Sequence, residues 1–411
     1  MCGELRVLVR TLGQKKQLAL LEAHRLMEYL EEEAGQGSLV GTVFLGRVER
    51  VLPSMCAAFV NIGQSLNGFL PLHELESFSK NSKAAPLATG QEVLVQVKKD
   101  AKDDKGAFLS RDIALPGLYC VWMPFNRHVG VSGRVKAEEE RKRLIHMGQE
   151  LSQGEYGLIL RHAAQNAAYA EVADEIEGLK LLWTDVQKKA IHARPPAVLH
   201  REASELTALL RDHMGRYKLS VYGDREEYRQ EIPTENIPFY VQTEIEMEAL
   251  WQGNRVCQQI KGALERNVEL EGGGNLVIDE REALTTLDIN TGKFVGRAGE
   301  GNLALRQNLA ACPEIARQMR LRNLAGILLI DFVDMKTDEE RAEVQDTLSA
   351  LLLTDRVKTV VHGFTKLGLL EMTRKRTRES LSRMFTQPCP CCKETGRKPL
   401  ENDQKQRGLM A

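Results

Sequence analysis

The feature that most constrains the fold is a strand, a helix and a second strand in the C-terminal half of the chain. Residues 284–290, LTTLDIN, and residues 326–334, GILLIDFVD, both have the composition of buried strands. Residues 302–324, which lie between them, carry the apolar periodicity of an amphipathic helix. A strand, a covering helix and a second strand form a crossover that leaves the strands parallel. The sequence therefore predicts an α/β layer.

Both predicted strands end in a carboxylate. Asp288 and Asp331 stand at the C-terminal ends of their strands. Because parallel strands end at the same edge of a sheet, we expect the two side chains to lie close together. Ligands of open α/β sheets bind beyond that edge. Two adjacent carboxylates repel each other unless a cation lies between them, and Mg²⁺ is commonly held by one or two carboxylates. The sequence predicts a Mg²⁺ site there.

Two further polar residues accompany this pair. Asn290 follows Asp288 by two positions, so it faces the same side of the strand and can bond a metal-bound water or a phosphate oxygen. Asp334 is predicted to interact with the residues that bind the metal, without binding the metal itself. An alternative remains open, in which Asp331 and Asp334 only cap the helix that begins near Thr337.

Charge and hydropathy limit the class of protein. The chain has 411 residues, 43% of them hydrophobic, and a formal net charge of −1, so a nucleic-acid partner cannot be inferred from overall charge. Local basic patches occur at residues 98–105, 141–143 and 374–383, each of which alone is typical of a solvated surface.

The N-terminus lacks a signal-peptide pattern, and no apolar run is long enough to span a bilayer. We expect a soluble, cytoplasmic protein.

The remaining elements indicate several domains. Residues 39–63 and 91–100 contain short strands rich in Val, Phe and Leu, which predict a small barrel of the OB type. Residues 243–266 are predicted to be helical, with Ile245 on the same apolar face as Ile260. After a strand at residues 358–364, residues 369–385 are predicted to form a closing helix.

The cysteines fall into two groups. Three of the eight, Cys389, Cys391 and Cys392, lie in the segment QPCPCCKETG. Cys389 and Cys392 have the C-x-x-C spacing of a zinc-binding pair. Because the chain has no second C-x-x-C, either Cys391 and a distant residue complete the zinc shell or another subunit supplies the matching pair. A redox pair is the competing interpretation. The scattered positions of the others suit reduced, buried thiols rather than disulfides: Cys2, Cys56, Cys120, Cys257 and Cys312.

Taken together, these segments resemble the catalytic region of the ribonuclease E/G family, the bacterial endoribonucleases of RNA processing and decay. The resemblance covers nearly the whole length and is nearer to the shorter G type. It is carried by residues 41–63, 68–72, 284–290, 314–335, 368–376 and 389–392.

The resemblance implies an α/β multidomain fold. An S1-type OB barrel is inserted in an RNase H-like fold, and a 5′-sensor region, a DNase I-like α/β catalytic domain and a zinc link follow. The implied RNase H-like fold has two segments, residues 1–36 and residues 207–263. The other implied domains are residues 37–115 (S1-type barrel), 116–206 (5′-sensor), 264–385 (DNase I-like) and 386–411 (zinc link and tail).

The resemblance also implies an activity. The protein would be a Mg²⁺-dependent endoribonuclease that cleaves single-stranded, A/U-rich RNA to 5′-phosphate and 3′-hydroxyl ends in rRNA and tRNA processing and mRNA decay. Asp288 and Asp331 would hold Mg²⁺, and Asn290 would position the scissile group. The competing hypotheses are an RNA-binding protein of the same fold that has lost catalysis and, with less support, a deoxyribonuclease.

In the barrel, the resemblance assigns single-strand contacts to four residues. Phe59 and Phe69 match base-stacking aromatics, and Lys99 and Lys105 match phosphate-contacting lysines. Exposed aromatics beside lysines bind single strands with little sequence preference, which agrees with this assignment.

The sequence departs from the family pattern in the predicted 5′-phosphate pocket. Arg161 matches the pocket's arginine, but His162 stands where threonine is usual and Lys358 where arginine is usual. We therefore expect weaker discrimination for 5′-monophosphorylated RNA.

The C-terminal end also departs from the pattern. Glu394 replaces the first glycine of the zinc link. We expect the protein to lack the family's small C-terminal domain and any degradosome scaffold. We expect a homodimer joined through a shared Zn²⁺ ion.

Overall fold

The computed structural model describes residues 3–33, 38–72, 87–101, 104–202, 204–271, 273–291, 303–389 and 397–399. The chain begins with three strands in an antiparallel meander, in which residues 7–10 and 17–21 are buried without a break. These strands are β1 (Glu4–Leu12), β2 (Lys15–Glu22) and β3 (Arg25–Glu33). Among the described helices, none is long and apolar enough to cross a bilayer.

A closed five-stranded barrel follows the meander. Its strands are β4 (Val43–Leu52), β5 (Ala57–Asn61), β6 (Gly68–Pro71), β7 (Glu92–Lys99) and β8 (Phe108–Ser110). Strand β4 pairs with both β5 and β7, and the ring closes through β6 and β8. Alternation places Phe44, Val60 and Val95 in the barrel core. The structure therefore contains the small barrel that the sequence predicts.

The next segment forms a middle sheet that two helices cover. Its elements are β9 (Leu115–Pro116), β10 (Cys120–Met123), β11 (Val129–Val131), α1 (Glu138–Ser152), β12 (Gly157–Leu160), α2 (Tyr169–His192) and β13 (Ala197–His200). Leu144 of α1 and Trp183 of α2 pack in one core with Trp122 of β10. Strand β13 then returns to the barrel, where it pairs antiparallel with β4.

The chain next completes the first sheet. The elements are α3 (Glu205–His213), β14 (Lys218–Gly223), β15 (Phe239–Val241), α4 (Glu244–Gly253) and α5 (Val256–Gly262). Strand β14 pairs parallel with β1, and β15 pairs parallel with β14, so the N-terminal sheet has the order β15-β14-β1-β2-β3. Helix α3 packs on one face of this sheet, and α4 and α5 pack on the other. The barrel and middle sheet are therefore inserted within one mixed sheet.

The predicted helix over residues 243–266 is interrupted. Arg255 has a left-handed backbone, with φ of +52°, and it separates α4 from α5. The change of direction removes Ile245 from the predicted apolar face, and its side chain is 83% exposed. Ile260 is buried as predicted.

The C-terminal sheet has six strands in the order β16-β17-β18-β19-β21-β20. Helices α6 and α7 cover one face, where Ile315, Met319 and Leu348 pack against Leu287 and Ile330. The elements are β16 (Asn267–Glu269), β17 (Asn275–Glu280), β18 (Leu284–Asn290), α6 (Leu303–Leu321), β19 (Gly326–Asp331), α7 (Asp338–Leu352), β20 (Thr359–Phe364), β21 (Leu369–Arg374) and α8 (Leu381–Phe385). A separate two-stranded ribbon follows, formed by β22 (Thr386–Pro388) and β23 (Arg397–Pro399).

The prediction of one closing helix over residues 369–385 is wrong. Its first six residues form strand β21, which lies between β19 and β20 and runs antiparallel to both. Leu370 and Met372 are fully buried at alternate positions, which is strand periodicity. Only the five residues of α8 are helical.

A buried carboxylate joins the N-terminal sheet to the C-terminal region of the chain. Glu28 of β3 is 2% exposed and forms ion pairs with Arg320 of α6 at 2.9 Å and Arg356 at 3.2 Å. Arg378, which follows β21, lies 3.6 Å from the same carboxylate. Burial opposes ionisation of Glu28, but the three arginines outweigh it and hold its pKa well below the usual range.

Candidate active site

The two aspartates predicted to meet are direct neighbours. Strands β18 and β19 pair in parallel, and Asp288 is the register partner of Asp331 at the end of the ladder. Their apolar neighbours Leu287 and Ile330 point into the core, so alternation turns both carboxylates to the opposite side. That side is the open face of the C-terminal sheet, whose exposed residues include Thr286, Asp288, Asn290, Ile327 and Asp331.

Electrostatics at this edge favour a cation. Partial burial, followed by the negative charges of Asp288 and Asp334, raises the pKa of Asp331. Within the described residues, no group of three or more His, Cys, Asp or Glu side chains forms a metal site. Two carboxylates with an adjacent amide instead match the donors of Mg²⁺, which keeps several waters and takes substrate phosphate oxygens.

Asn290 is placed to act beside this pair. Its side-chain Nδ2 donates a hydrogen bond of 3.0 Å to Asp288 Oδ2. The two side chains share a strand face because they are two residues apart in β18. Asn290 therefore orients the Asp288 carboxylate and is exposed to solvent on the open face.

Neither Asp331 nor Asp334 caps the following helix. The N-terminus of α7 is capped by Thr337, whose hydroxyl accepts a 3.3 Å hydrogen bond from the Glu340 N–H, while the Glu340 carboxylate accepts one from the Thr337 N–H. Capping therefore does not explain the two aspartates. Asp334 is exposed near Asp331, on whose pKa it acts.

The barrel carries a row of three aromatic rings across adjacent strands. Phe59, Phe69 and Phe108 are successive register partners in β5, β6 and β8. The ring centroids of Phe59 and Phe69 are 6.1 Å apart, and those of Phe69 and Phe108 are 5.9 Å apart. All three rings are half-buried, so they are not part of the barrel core. We call them the aromatic row.

Basic side chains flank the aromatic row. Lys99 Nζ lies 5.5 Å from the Phe108 ring centroid, and Arg50, the register partner of Phe59, is exposed at the other end. Lys105 is exposed in the connection leading into β8. Sequence reasoning missed Phe108 because a three-residue strand is too short to show periodicity. The available signal was that Phe108 closely follows Lys105, which was already predicted to contact RNA phosphates.

The predicted 5′-phosphate residues lie where the middle sheet meets α3. Arg161 follows β12 and forms an ion pair with Asp212 of α3. His162 is adjacent, and its Nδ1 has no hydrogen-bond partner among the residues that the structure describes. Burial, and then the positive charges of Arg216 and Arg134, lowers the pKa of His162 to about 4. The ring is therefore neutral at physiological pH.

The same region is tied to the segment before Lys358. Arg134 donates a 2.7 Å hydrogen bond to the Asp355 carbonyl, and Arg216 donates a 2.8 Å hydrogen bond to the Leu353 carbonyl. Lys358 itself is exposed, and its carbonyl accepts a 3.0 Å hydrogen bond from the Lys375 N–H. These hydrogen bonds thus connect the region of Arg161 and His162 to the segment that precedes Lys358.

Only one member of the cysteine cluster can be placed. Cys389 is partly buried after β22, whereas Cys391, Cys392 and Glu394 lie outside the described residues. Of the scattered cysteines, Cys120 and Cys312 are buried as predicted, and burial raises the pKa of Cys312 to about 12. The expectation is wrong for Cys56, which is exposed on the barrel, and Cys257 is only partly buried.

Comparison with known proteins gives two family matches. A model described as "Ribonuclease E/G family" matches residues 114–377, and one described as "S1 RNA binding domain" matches residues 39–112. The chain is 38% identical to Ribonuclease G of Escherichia coli (strain K12) over 95% of this chain and 83% of that protein. It is 37% identical to Ribonuclease G of Haemophilus influenzae, with the same coverage. Ribonuclease E of Nostoc sp. is 33% identical over 92% of this chain and 58% of that protein.

Fold, site and comparisons together define an RNA-binding enzyme built from an S1 barrel and an α/β catalytic region. The identities to the G-type relatives exceed the identity to the E-type relative named above. The chain belongs to the ribonuclease E/G family. The family and the enzyme class that the sequence predicts are thereby confirmed.

Proposed function

We propose that this protein is a Mg²⁺-dependent endoribonuclease that cleaves single-stranded RNA at the edge formed by Asp288 and Asp331. The observation that carries the proposal is their direct register pairing on the open face. Asp288 and Asp331 would hold the Mg²⁺ ion, which would supply Lewis-acid chemistry for hydrolysis of the phosphodiester. The products are a 5′-phosphate and a 3′-hydroxyl end.

The protein's own residues hold and orient the RNA. Asn290 steadies the Asp288 carboxylate through its 3.0 Å hydrogen bond and positions the scissile phosphate. In the barrel, the aromatic row stacks on successive bases, and Lys99 and Lys105 contact phosphates. We infer a preference for A/U-rich single strands, a role in rRNA and tRNA processing and mRNA decay, and a cytoplasmic location.

We further propose domain identities for the two large sheets. The mixed order β15-β14-β1-β2-β3 supports an RNase H-like fold made of residues 1–36 and 207–263. The six-stranded sheet under α6 and α7 supports a DNase I-like catalytic domain over residues 264–385. The S1 barrel would occupy residues 37–115, the 5′-sensor residues 116–206, and the zinc link and tail residues 386–411.

The test is cleavage of a short A/U-rich RNA by the purified protein with Mg²⁺ or with EDTA. We expect cleavage in Mg²⁺ and none in EDTA. The downstream product should carry a 5′-phosphate and should therefore be a substrate for ligation. Binding without cleavage would instead support an RNA-binding protein that has lost catalysis. A matched single-stranded DNA tests the deoxyribonuclease alternative, and we expect it to remain uncut.

Removal of a ring from the aromatic row is expected to weaken RNA binding. Phe59→Ala and Phe69→Ala should each weaken single-strand binding by about 1–3 kcal/mol, the range for loss of one base stack. Phe108→Ala should act in the same direction, because its ring adjoins Phe69. Binding titrations in EDTA measure the effect. Thermal melting is the control, since a variant that unfolds at low temperature would place the ring in the core instead.

The 5′-monophosphate is expected to stimulate cleavage less than in relatives with the full pocket. A neutral His162 adds no charge to a phosphate site, and Lys358 lacks the two-point contact that arginine offers. Rates on matched RNAs with a 5′-phosphate or a 5′-hydroxyl test this expectation. The combined variant His162→Thr and Lys358→Arg should increase the ratio of the two rates. A large phosphate preference in the unchanged protein would contradict the prediction.

Zinc is expected to join two protomers. If Cys389 and Cys392 pair with the same residues of a second chain, the purified protein contains half a Zn²⁺ per protomer and is a dimer. Metal analysis with light scattering measures both quantities. Chelation or Cys389→Ser should give monomers, whereas Cys56→Ser, an exposed barrel cysteine, should retain both zinc and dimer. Zinc-free monomers before any treatment would contradict the shared site.

A further inference from the structure

Helix α6 contacts the chain just beyond the strand that carries Asp331. Asn308, in the second turn of α6, is fully buried with 0% exposure. Its Nδ2 donates a 2.8 Å hydrogen bond to the Val333 carbonyl, and its Oδ1 accepts a 3.0 Å hydrogen bond from the Val333 N–H. One side chain thus satisfies both backbone groups of the residue that stands two positions after Asp331.

The preceding residue of α6 contacts the end of the other strand. Gln307 is 2% exposed, and its Nε2 lies 3.4 Å from the Asn290 carbonyl oxygen. Gly274 packs on the same oxygen from another side, since a Cβ at Gly274 would lie 2.5 Å from it. Two consecutive helix residues therefore touch the backbone just past Asp288 and just past Asp331.

The sheet pairs Asp331 with Asp288 on one side and with Leu369 on the other, but it does not fix the chain beyond Asp331. The β18–β19 ladder stops at Asp288 and Asp331, so Val333 has no partner in that ladder. The two carboxylates also repel each other, which favours separation of the strand ends. A buried asparagine with both amide atoms paired to backbone is costly to remove, because the backbone groups it satisfies are left unpaired.

We propose that Asn308 is a positioning residue for the metal-binding carboxylates. The ladder sets the register of Asp331 against Asp288, and Asn308 holds the chain that leaves Asp331, which limits fraying of this last pair. It touches neither carboxylate and acts only through the chain. This inference rests on the proposed Mg²⁺ site.

The experiment measures metal binding directly, without RNA cleavage. Mn²⁺ replaces Mg²⁺ as the probe, and electron paramagnetic resonance counts free Mn²⁺ in a titration of the apoprotein. Asn308→Ala removes both hydrogen bonds, and Asn308→Leu removes them while keeping the side-chain volume. We expect both variants to bind Mn²⁺ about 10- to 100-fold more weakly, the usual loss for a residue that orients metal ligands. On RNA, kcat should fall while KM and binding in EDTA stay unchanged.

The matched control is Asn254→Ala. Asn254 is also buried, at 5% exposure, and its Nδ2 donates a 2.7 Å hydrogen bond to the Leu250 carbonyl, but it stands at the C-terminal end of α4, away from Asp288 and Asp331 in the sequence and in a different sheet layer. We expect it to lose stability and keep the wild-type Mn²⁺ affinity.

Two kinds of failure can be separated. Folded Asn308→Ala or Asn308→Leu protein that binds Mn²⁺ as tightly as wild type and keeps its kcat would overturn the positioning role. If Asn308→Ala does not fold, Asn308→Leu decides alone. Asp288→Asn is the reference: if wild type binds no Mn²⁺, or if Asp288→Asn binds it as well as wild type, the proposed metal site itself is wrong.

Discussion

Replacement of Asp288 or Asp331 by asparagine is expected to abolish RNA cleavage while folding and RNA binding are retained. Each change removes one of the two negative charges that face each other in register and keeps the side-chain shape. Because these carboxylates are the proposed Mg²⁺ ligands, we expect kcat to fall by more than about 100-fold, which exceeds the usual loss when a residue hydrogen-bonded to a metal ligand is replaced. Cleavage of A/U-rich RNA and gel-shift binding in EDTA measure the two properties.

Asp279→Asn is the matched control for this prediction. Asp279 lies on β17 of the same sheet, but its carboxylate forms hydrogen bonds of 2.8 and 2.7 Å with Arg266 rather than facing Asp331. We expect this variant to cleave RNA normally. Near wild-type cleavage by Asp288→Asn or Asp331→Asn would refute the assignment of the metal site.

Glu28→Gln is expected to cause a large loss of stability. The buried Glu28 carboxylate offsets part of the positive charge of three arginines: Arg320, which is buried, and Arg356 and Arg378, which are partly buried. Loss of one partner from a buried ion cluster leaves uncompensated charge and typically costs about 3–5 kcal/mol. Urea denaturation measures the free energy of unfolding.

Glu226→Gln is the control, because Glu226 also pairs with an arginine, Arg229, but the two side chains are 64% and 57% exposed. An exposed pair contributes about 0–1 kcal/mol. Equal losses in the two variants would show that the Glu28 cluster contributes no more than a surface pair.

The pH dependence of the Glu28 effect follows from its lowered pKa. The folded-state pKa lies below the usual value of 4.5, so the stabilisation is complete above that value and is lost as the pH falls through the folded-state pKa. The difference in unfolding free energy between wild type and Glu28→Gln should therefore be constant near neutral pH. It should shrink only in acid, which denaturation at several pH values can measure.

The sequence predicts the meeting of Asp288 and Asp331 well because its signals are local. The crossover and the strand ends at Asp288 and Asp331 follow from periodicity and from the rule for parallel strands. The order of the strands in this sheet is not predicted by the sequence. Strand β21 lies between β19 and β20 although it follows both in the sequence. The basic residues after β21 make residues 369–385 resemble one continuous helix, which conceals the strand alternation of Leu370 and Met372.

Two other features depend on tertiary contacts that no window of sequence contains. Arg255 adopts a left-handed backbone that few residues other than glycine take, so its own identity does not predict the break, although Gly253 and Asn254 before it are residues that commonly end helices. Asn308 reads as one polar residue of an amphipathic helix. Only its two bonds to Val333 show that it faces the strand ends.

The insertion of the barrel and middle sheet within the N-terminal sheet has a consequence for how the chain folds. Strand β1 must find β14, with partners as distant in sequence as Val7 and Val221. The inserted segment shortens this search, because β4 and β13 pair with each other and bring Val43 beside His200. Once the insert has formed, the polymer loop that separates the two halves of the sheet is short, and its closure entropy is correspondingly small. A nascent chain can thus fold the insert first and complete the surrounding sheet afterwards, with little entropic cost from the intervening residues.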